Sequence, residues 1–493
     1  MREREVKLAP APGFRLPDLT GVAPDVEAGT SETIELHATY FDTADLRLAR
    51  AGASLRHRSD EGWTVKLPEP GARRELLTRQ EHHFDGPTGA PPTAALDLVL
   101  GFVRTAPVQA VTRVRTRRAR VELLDREGKP VGEVVDDEVS VLDGRRVAAR
   151  FRELEVELRE DTDDALASAV VGRLRAAGAG EPDPIPKVVR ALGPRALEPP
   201  DVPPPSVEGG DAGVVARAAL AASVARLVAH DPGVRLGDDP EAVHQARVAT
   251  RRLRSDLRTF LPLLDDEWAQ SLRDELRWLG TALGAVRDAD VLLERLQAKI
   301  ARLPHQDRVV AARLLDQLHA ERDRARAELL VVMHGEHYLE LLDRLVAAVR
   351  APALTDEAEK PPDMLGYLAR TPWKHLATAV DALDDEPSDA ALHEVRKRAK
   401  RVRYAAEAAA PVVGKPARRF AAAIEDVQDL LGRHQDAVVA EEWLRKALTA
   451  ASPRETFVIG QLVAMEQADA AGARAEWPGV WKAAGRKRLR TWL

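Results

Sequence analysis

Glu3-Arg4-Glu5-Val6-Lys7 and, about 150 residues further on, Glu153-Leu154-Glu155-Val156-Glu157-Leu158 carry the reading on which the fold turns. In both, charges fall at every second position, which puts them on one face of a β-strand. Leu154, Val156 and Leu158 take the opposite face. Segments in between repeat the pattern with basic residues: Arg56 and Arg58, Lys66, Arg79 beside Glu81, then Arg113, Arg115 and Arg117. One such strand alone is simply half-buried, with charges in water and aliphatics in the core. The set says more, because acidic rows side by side repel unless something cationic lies between them. A closed barrel holding both signs inside resolves the conflict. Carboxylates from the first and last strands then meet around a hard divalent cation, Mg2+ or Mn2+, which prefers oxygen ligands. Lys and Arg on the remaining walls grip phosphates. Such a cage suits a triphosphate.

The chain has 493 residues, more than one ordinary core supports, so two or more domains are expected. With 45% hydrophobic and 31% charged residues it has the balance of a folded protein rather than a disordered one. No cysteine occurs, which excludes disulfides, thiolate metal sites and cysteine nucleophiles. The formal charge of −6 argues, taken alone, against a polyanion ligand; the spacing of the charges points the other way. The first residues do not read as a signal peptide, and arginines interrupt the most apolar stretch, Val214–Val228. The expectation is a cytoplasmic protein without a membrane span.

Residues 1–197 read as short strands separated by turn signals such as Asp60-Glu61-Gly62 and Glu127-Gly128-Lys129, with a helix over Asp163–Ala177. Residues 198–212, with Pro199-Pro200 and Pro203-Pro204-Pro205, read as an extended linker. Residues 213–493 follow the helical period and contain two pseudo-repeats, about 213–350 and 363–493. The fold class is multidomain α+β, a strand domain followed by an all-α bundle.

The repeats carry chemistry. His244 and Arg247, followed by Arg251-Arg252-Leu253-Arg254, return as His393 and Arg396, followed by Lys400-Arg401-Val402-Arg403. Each block precedes a second shared element, Leu283-Gly284 to Asp288-Ala289 and Leu431-Gly432 to Asp436-Ala437. On a helix, His244, Arg247, Arg251, Arg254 and Arg258 line one stripe, and His393, Arg396, Lys400 and Arg403 line another. Like charges at these spacings cost about 0.2–0.5 kcal/mol per pair unless an anion or carboxylates offset them. Written twice, with a histidine in the same place, the stripes favour an anion site over a solvated face. Lys397 and Arg401 flank them, and Arg252 and Arg398 point elsewhere.

Glu3-Arg4-Glu5-Val6-Lys7 resembles the ExExK signature of the CYTH family, the triphosphate tunnel metalloenzymes. Tyr40-Phe41-Asp42-Thr43, Leu55-Arg56-His57-Arg58, Thr64-Val65-Lys66, Arg79-Gln80-Glu81, Arg113-Val114-Arg115, Leu154–Glu157 and Pro186–Leu192 follow in the family's order. The resemblance implies an eight-stranded antiparallel tunnel that hydrolyses inorganic triphosphate with a bound metal. Carried over by position, Glu3, Glu5, Asp136, Glu155 and Glu157 hold the metal. Lys7, Arg56, Arg58, Lys66, Arg79, Arg113, Arg115, Lys187 and Arg190 bind phosphates, and Glu3, Glu5, Lys7, Glu81 and Tyr40 form the catalytic set. Two positions depart from the pattern. His83 stands where some members have a second carboxylate, and Arg113 stands where some pair a lysine with the tyrosine. Arginine keeps its proton and cannot serve as a base.

Residues 211–493 resemble the CHAD family, a helical domain with two histidine-bearing repeats. That resemblance implies inorganic polyphosphate bound along His244, Arg247, Arg251, Arg254, Arg258, His393, Arg396, Lys397, Lys400, Arg401 and Arg403, and leaves association with polyphosphate granules open. Competing readings are a non-catalytic polyphosphate scaffold and a tunnel enzyme for another triphosphate, ATP or thiamine triphosphate. Nucleic acid is disfavoured, since the stripes offer no aromatic platform beyond nearby Phe260 and Tyr404. The oligomeric state is left open.

Overall fold

The structure is a computed structural model that describes residues 2–69, 77–159, 162–207 and 210–493; the side chains of 1–4, 77, 78 and 164 lie outside that description. The chain divides between Asp201 and Val202 into two units.

The first unit contains strands β1 (Arg2–Pro10), β2 (Val26–Ala28), β3 (Glu32–Asp42), β4 (Ser54–Arg58), β5 (Gly62–Pro68), β6 (Leu77–Phe84), β7 (Gln109–Asp125), β8 (Pro130–Asp143), β9 (Arg146–Leu158) and β10 (Ala179–Pro182). Its helices are α1 (Arg47–Arg50), α2 (Thr93–Val103), α3 (Asp164–Ala176) and α4 (Lys187–Leu192). The strand order is β10-β1-β6-β5-β4-β3-β7-β8-β9, and β9 pairs back onto β1. Eight antiparallel strands therefore close on themselves, with β10 alongside β1 and β2 alongside β7. This is the eight-stranded tunnel that the sequence implies.

Alternation decides what faces out. Leu154, Val156 and Leu158 of β9 join Leu8, Leu166, Val170 and Leu174 in one core cluster, so α3 packs on the outside of the barrel. That helix starts where its acidic opening predicts, Asp163 accepting from the Ala165 N–H. One end of the tunnel is filled by Tyr40, Val114, Val139 and Val141 together with Val188 and Val189 of α4. This anchoring leaves Lys187, at the start of α4, directed at the acidic strands.

The second unit contains α5 (Ala212–Leu236), α6 (Pro240–Thr259), α7 (Asp266–Ile300), α8 (His305–His334), α9 (Glu336–Arg350), α10 (Arg370–Asp381), α11 (Asp389–Val413), α12 (Lys415–Ala447) and α13 (Pro453–Ala484). The repeats start alike: Asp239 caps α6 and Ser388 caps α11, and each repeat histidine stands five residues after its cap. α5 is long and apolar enough to cross a bilayer, contrary to the expectation from sequence. It serves as a core helix, with Val215, Leu220, Val224 and Leu227 buried and Arg217 and Arg226 on its exposed side. The Tyr338 hydroxyl and the Arg235 guanidinium both satisfy its buried Asp231.

Candidate functional site

Strand register builds an acidic wall. Glu5 lies opposite Glu157, Glu157 opposite Glu133, and Glu133 opposite Glu122, a row of carboxylates across β1, β9, β8 and β7. Such a row repels itself unless cations intervene. Arg120 answers one end, 2.6 Å from Glu133 and 3.1 Å from Glu122. In a neighbouring layer Lys7 lies opposite Glu155, and Asp137 lies opposite Glu153. Lys7 pairs with Glu155 and sits 3.6 Å from Glu5 and 3.7 Å from Glu153. Lys187 reaches Asp137 at 2.5 Å, Glu153 at 3.1 Å and Glu155 at 3.6 Å. Arg118 adds contacts of 2.7 Å to Asp137 and 3.1 Å to Glu155.

Opposed charges set the protonation states here. Burial works against the Lys7 ammonium, but Glu153, Glu155 and Glu5 overcome it and hold its pKa well above the ordinary value. Burial likewise works against the Glu155 carboxylate, and Lys187, Lys7 and Arg118 hold it well below. Glu153 differs: burial pushes it up, and neither of its oxygens has a hydrogen-bond partner.

A divalent cation fits this wall. Glu5, Glu155 and Glu157 each bring a carboxylate oxygen within 4.8 Å of the others, and Glu5 Oε1 is buried without a hydrogen-bond partner. Three anionic oxygen donors match a hard cation. Glu3 lies in β1, but its side chain is outside the described residues.

The facing wall is basic. Arg56, Arg58, Lys66 and Arg79 line the same cavity as Glu5, Lys7, Glu155, Glu157 and Lys187, with a volume near 230 Å³. Lys66 and Arg56 bracket Glu81 at 3.5 and 3.6 Å. Burial alone would raise the Glu81 pKa; Lys66, Arg56 and His83 bring it below the ordinary carboxylate value. His83 lies 3.9 Å from Glu81, half exposed, and Tyr40 lines the cavity from the apolar end.

Four assignments need correction. Asp136 does not face the tunnel: it pairs in register with Leu154 of the outward face, and its carboxylate takes Arg152 at 2.6 Å. Asp137 is the inward residue. Arg113 and Arg115 also point away, since Arg115 pairs with His37 on the outer face of β3, whereas Arg118 and Arg120 pair with Ile34 and Glu32 and line the tunnel. The pairing of Tyr40 with an arginine at 113 therefore falls away. Arg190 is engaged by Asp183 and lies 3.8 Å from Glu153, outside the cavity lining. Sequence reasoning missed Asp137, Glu133, Arg118 and Arg120. Glu133 and Asp137 show the same alternation through Val135, and that was the available clue.

In the helical unit the two repeats meet. His244, Arg247 and Arg251 of α6 and His393, Arg396 and Lys400 of α11 line one cavity of about 420 Å³, joined by Arg287, Arg295, Asp288 and Asp436. Arg247 pairs with Asp288 at 2.7 Å, and Asp436 acts on Arg396 through charge. The repeated glycines lie beneath these arginines: a Cβ on Gly284 would stand 3.9 Å from Arg247, and one on Gly432 3.3 Å from Arg396. Buried Nε atoms of Arg251 and Arg396 and the His393 Nδ1 have no hydrogen-bond partner. Lys400 has no ion-pair partner among the described residues; burial, then Arg251, Arg396, Arg247 and Arg403, push its pKa down to about 7. Cations short of counter-charge converge here.

The single surface expected from the stripes resolves into parts. Arg254 and Arg258 face Arg273 and Arg277 of α7 rather than this cavity. Arg258 and Arg401 line a second cavity. Arg403 is taken by Glu425 at 2.5 Å and Glu407 at 3.3 Å, and Lys397 is exposed, 3.7 Å from Glu394. Arg252 and Arg398 do point elsewhere, to Asp256 and Glu394.

Comparison with known proteins follows the same division. The sequence matches the CYTH domain family over residues 1–183 and the CHAD domain family over residues 218–445. The chain is a CYTH–CHAD protein. Two Mycobacterium tuberculosis proteins, MT2285 and Rv2226, are each 34% identical over 479 residues, spanning 91% of this chain and 90% of theirs. Among solved structures, PptA from Streptomyces chartreusis is 26% identical, matching 55% of this chain and all of its own with a TM-score of 0.48. The CHAD domain from the plant Ricinus communis is also 26% identical, matching 56% of this chain and 92% of its own with a TM-score of 0.44. The CYTH part of this protein is a triphosphate tunnel.

Proposed function

We propose that this CYTH–CHAD protein hydrolyses inorganic triphosphate in its tunnel, using Mg2+ or Mn2+, and binds polyphosphate in the cavity between its helical repeats. The observation that carries the reading is the division of one cavity into facing walls: Glu5, Glu155 and Glu157 on one side, Arg56, Arg58, Lys66 and Arg79 on the other. Charged side chains make up most of its described lining, with Ile34, Leu36, Tyr40, Pro186 and Val188 as the apolar part, which favours an inorganic substrate over ATP or thiamine triphosphate.

A divalent cation held by Glu5, Glu155 and Glu157 would neutralise and polarise phosphoryl oxygens. The remaining work falls to the chain. Arg56, Arg58, Lys66 and Arg79 neutralise the polyanion and fix its register. As phosphates draw Lys66 and Arg56 toward themselves, Glu81 loses the charges that depress its pKa and becomes more basic. It then accepts the proton of a water that attacks the terminal phosphorus as the bridging P–O bond breaks.

The test is phosphate release from tripolyphosphate by the purified protein with Mg2+ or Mn2+, compared with Glu5→Gln. Release that the variant lacks supports the assignment. Equal release by the variant, or none from either protein with any divalent metal, overturns it.

A further inference from the structure

The helical unit contains a second, larger cavity whose chemistry differs from the one between the repeats. Its volume is about 710 Å³, within the range of small-molecule sites, roughly 300–1,000 Å³. Leu261 and Pro262, just after α6, meet Met364, Leu368 and Pro372 to give it an aliphatic lining. Of its two aromatic rings, Tyr367 and His375, the larger carries the Arg370 guanidinium 4.3 Å from the ring centroid, so that face of Tyr367 is not free to stack on a base. Among the described residues no carboxylate comes within ion-pair distance of Arg258 or Arg401, Glu394 acting on Arg401 only through charge, whereas Arg398 is held by Glu394 and the His375 carbonyl. Arg258 shows the shortage of negative charge: burial, then Arg273, Arg401, Arg254 and Arg277, push its pKa down to about 10.

An aliphatic lining beside uncompensated cations defines a ligand with two ends. An inorganic polyanion would satisfy the arginines and leave the apolar lining in water. A neutral lipid would bury the lining and leave the arginines unpaired. We propose that this cavity binds an aliphatic organic phosphate, its chain against Leu261, Met364 and Leu368 and its phosphate on Arg258 and Arg401. The site is separate from the triphosphate tunnel and does not depend on the reading of the other helical cavity.

Octyl phosphate, kept below its micelle concentration, is the probe, titrated into the full-length protein by calorimetry beside octanol, inorganic phosphate and AMP. Octyl phosphate should bind at least about tenfold more tightly than the other three, and Arg258→Gln or Arg401→Gln should weaken it about tenfold or more. Thr371→Trp, which places a bulky ring in the lining and leaves both arginines in the sequence, should abolish binding at an unchanged melting temperature. Octanol binding as tightly, AMP binding more tightly, or indifference to both arginine variants would overturn the proposal. So would full displacement by tripolyphosphate, which would make these arginines an extension of the polyphosphate surface.

Discussion

Lys7 and Glu155 face each other in register across β1 and β9 and form an ion pair inside the tunnel. The carboxylate suited to a metal is thus already balanced by the chain's own ammonium, and Lys187 and Arg118 share it. Glu155→Gln removes the common partner of three buried cations. We expect it to lower unfolding free energy by about 3–5 kcal/mol, read by urea denaturation. Phosphate release from tripolyphosphate should fall by about 100-fold or more. A variant as stable and active as the parent would show that the network is not organised around this residue.

The inward turn of Arg120 separates two readings of strand β7. Arg120→Ala should raise KM for tripolyphosphate about tenfold, because it removes a cation from the cavity lining. Arg113→Ala and Arg115→Ala, on the outer face, should stay within about twofold of the parent. Steady-state kinetics on the three variants decides the matter, and the reverse ranking would contradict the register.

The strand fold, its closure and the helical duplication were legible in the sequence because each rests on periodicity. Glu153, Glu155 and Glu157 alternate with leucine and valine, so one face could only be apolar. Parity was not legible where charges sit on both faces. Arg113, Arg115, Arg117, Arg118 and Arg120 occupy both, and Asp136 and Asp137 are adjacent, so a period of two leaves the choice to the pairing partner. Ile34, from a strand distant in sequence, and Leu154, from the strand that follows β8, make that choice. The helical stripes were correct as faces of single helices. Which part of each stripe meets its twin depends on helix packing, which periodicity does not encode.

The repeated glycines give a paired prediction. Gly→Ala in a helix gains about 0.5–1 kcal/mol, so Gly284→Ala, with 3.9 Å to Arg247, should raise the melting temperature and leave polyphosphate affinity unchanged. Gly432→Ala, with only 3.3 Å to Arg396, must displace that guanidinium and should weaken binding severalfold. Thermal unfolding and calorimetric titration of the two variants separate the effects.

Lys400 makes anion binding depend on pH. Its pKa in the free protein is about 7, against 10.5 for an ordinary lysine, and a bound polyanion would raise it. Above about pH 7, binding therefore takes up a proton and affinity falls as pH rises. Burial also pulls the nearby His244 and His393 downward, so both are neutral in the free protein at about pH 8 and the lysine lies closer to its midpoint there than they do. Titration in buffers of different protonation heat should find proton uptake at that pH in the parent and clearly less in Lys400→Met. The free protein follows the opposite sense: its unfolded state holds this proton more firmly, so stability from Lys400 rises with pH from about 7 toward 10.5.

The seam between β1 and β9 also determines when the tunnel comes into being. Translation delivers β1 well before its closing partner β9, which ends only at Leu158. Pairing across such a separation is slow, and until it happens β1 offers an open edge to any other strand in reach. Charge on alternate side chains is a recognised defence of such an edge. The residues proposed to hold metal and phosphate would thus first guard the edge of the nascent strand, and a substitution that removes their charge should lower the yield of folded protein before it reaches chemistry.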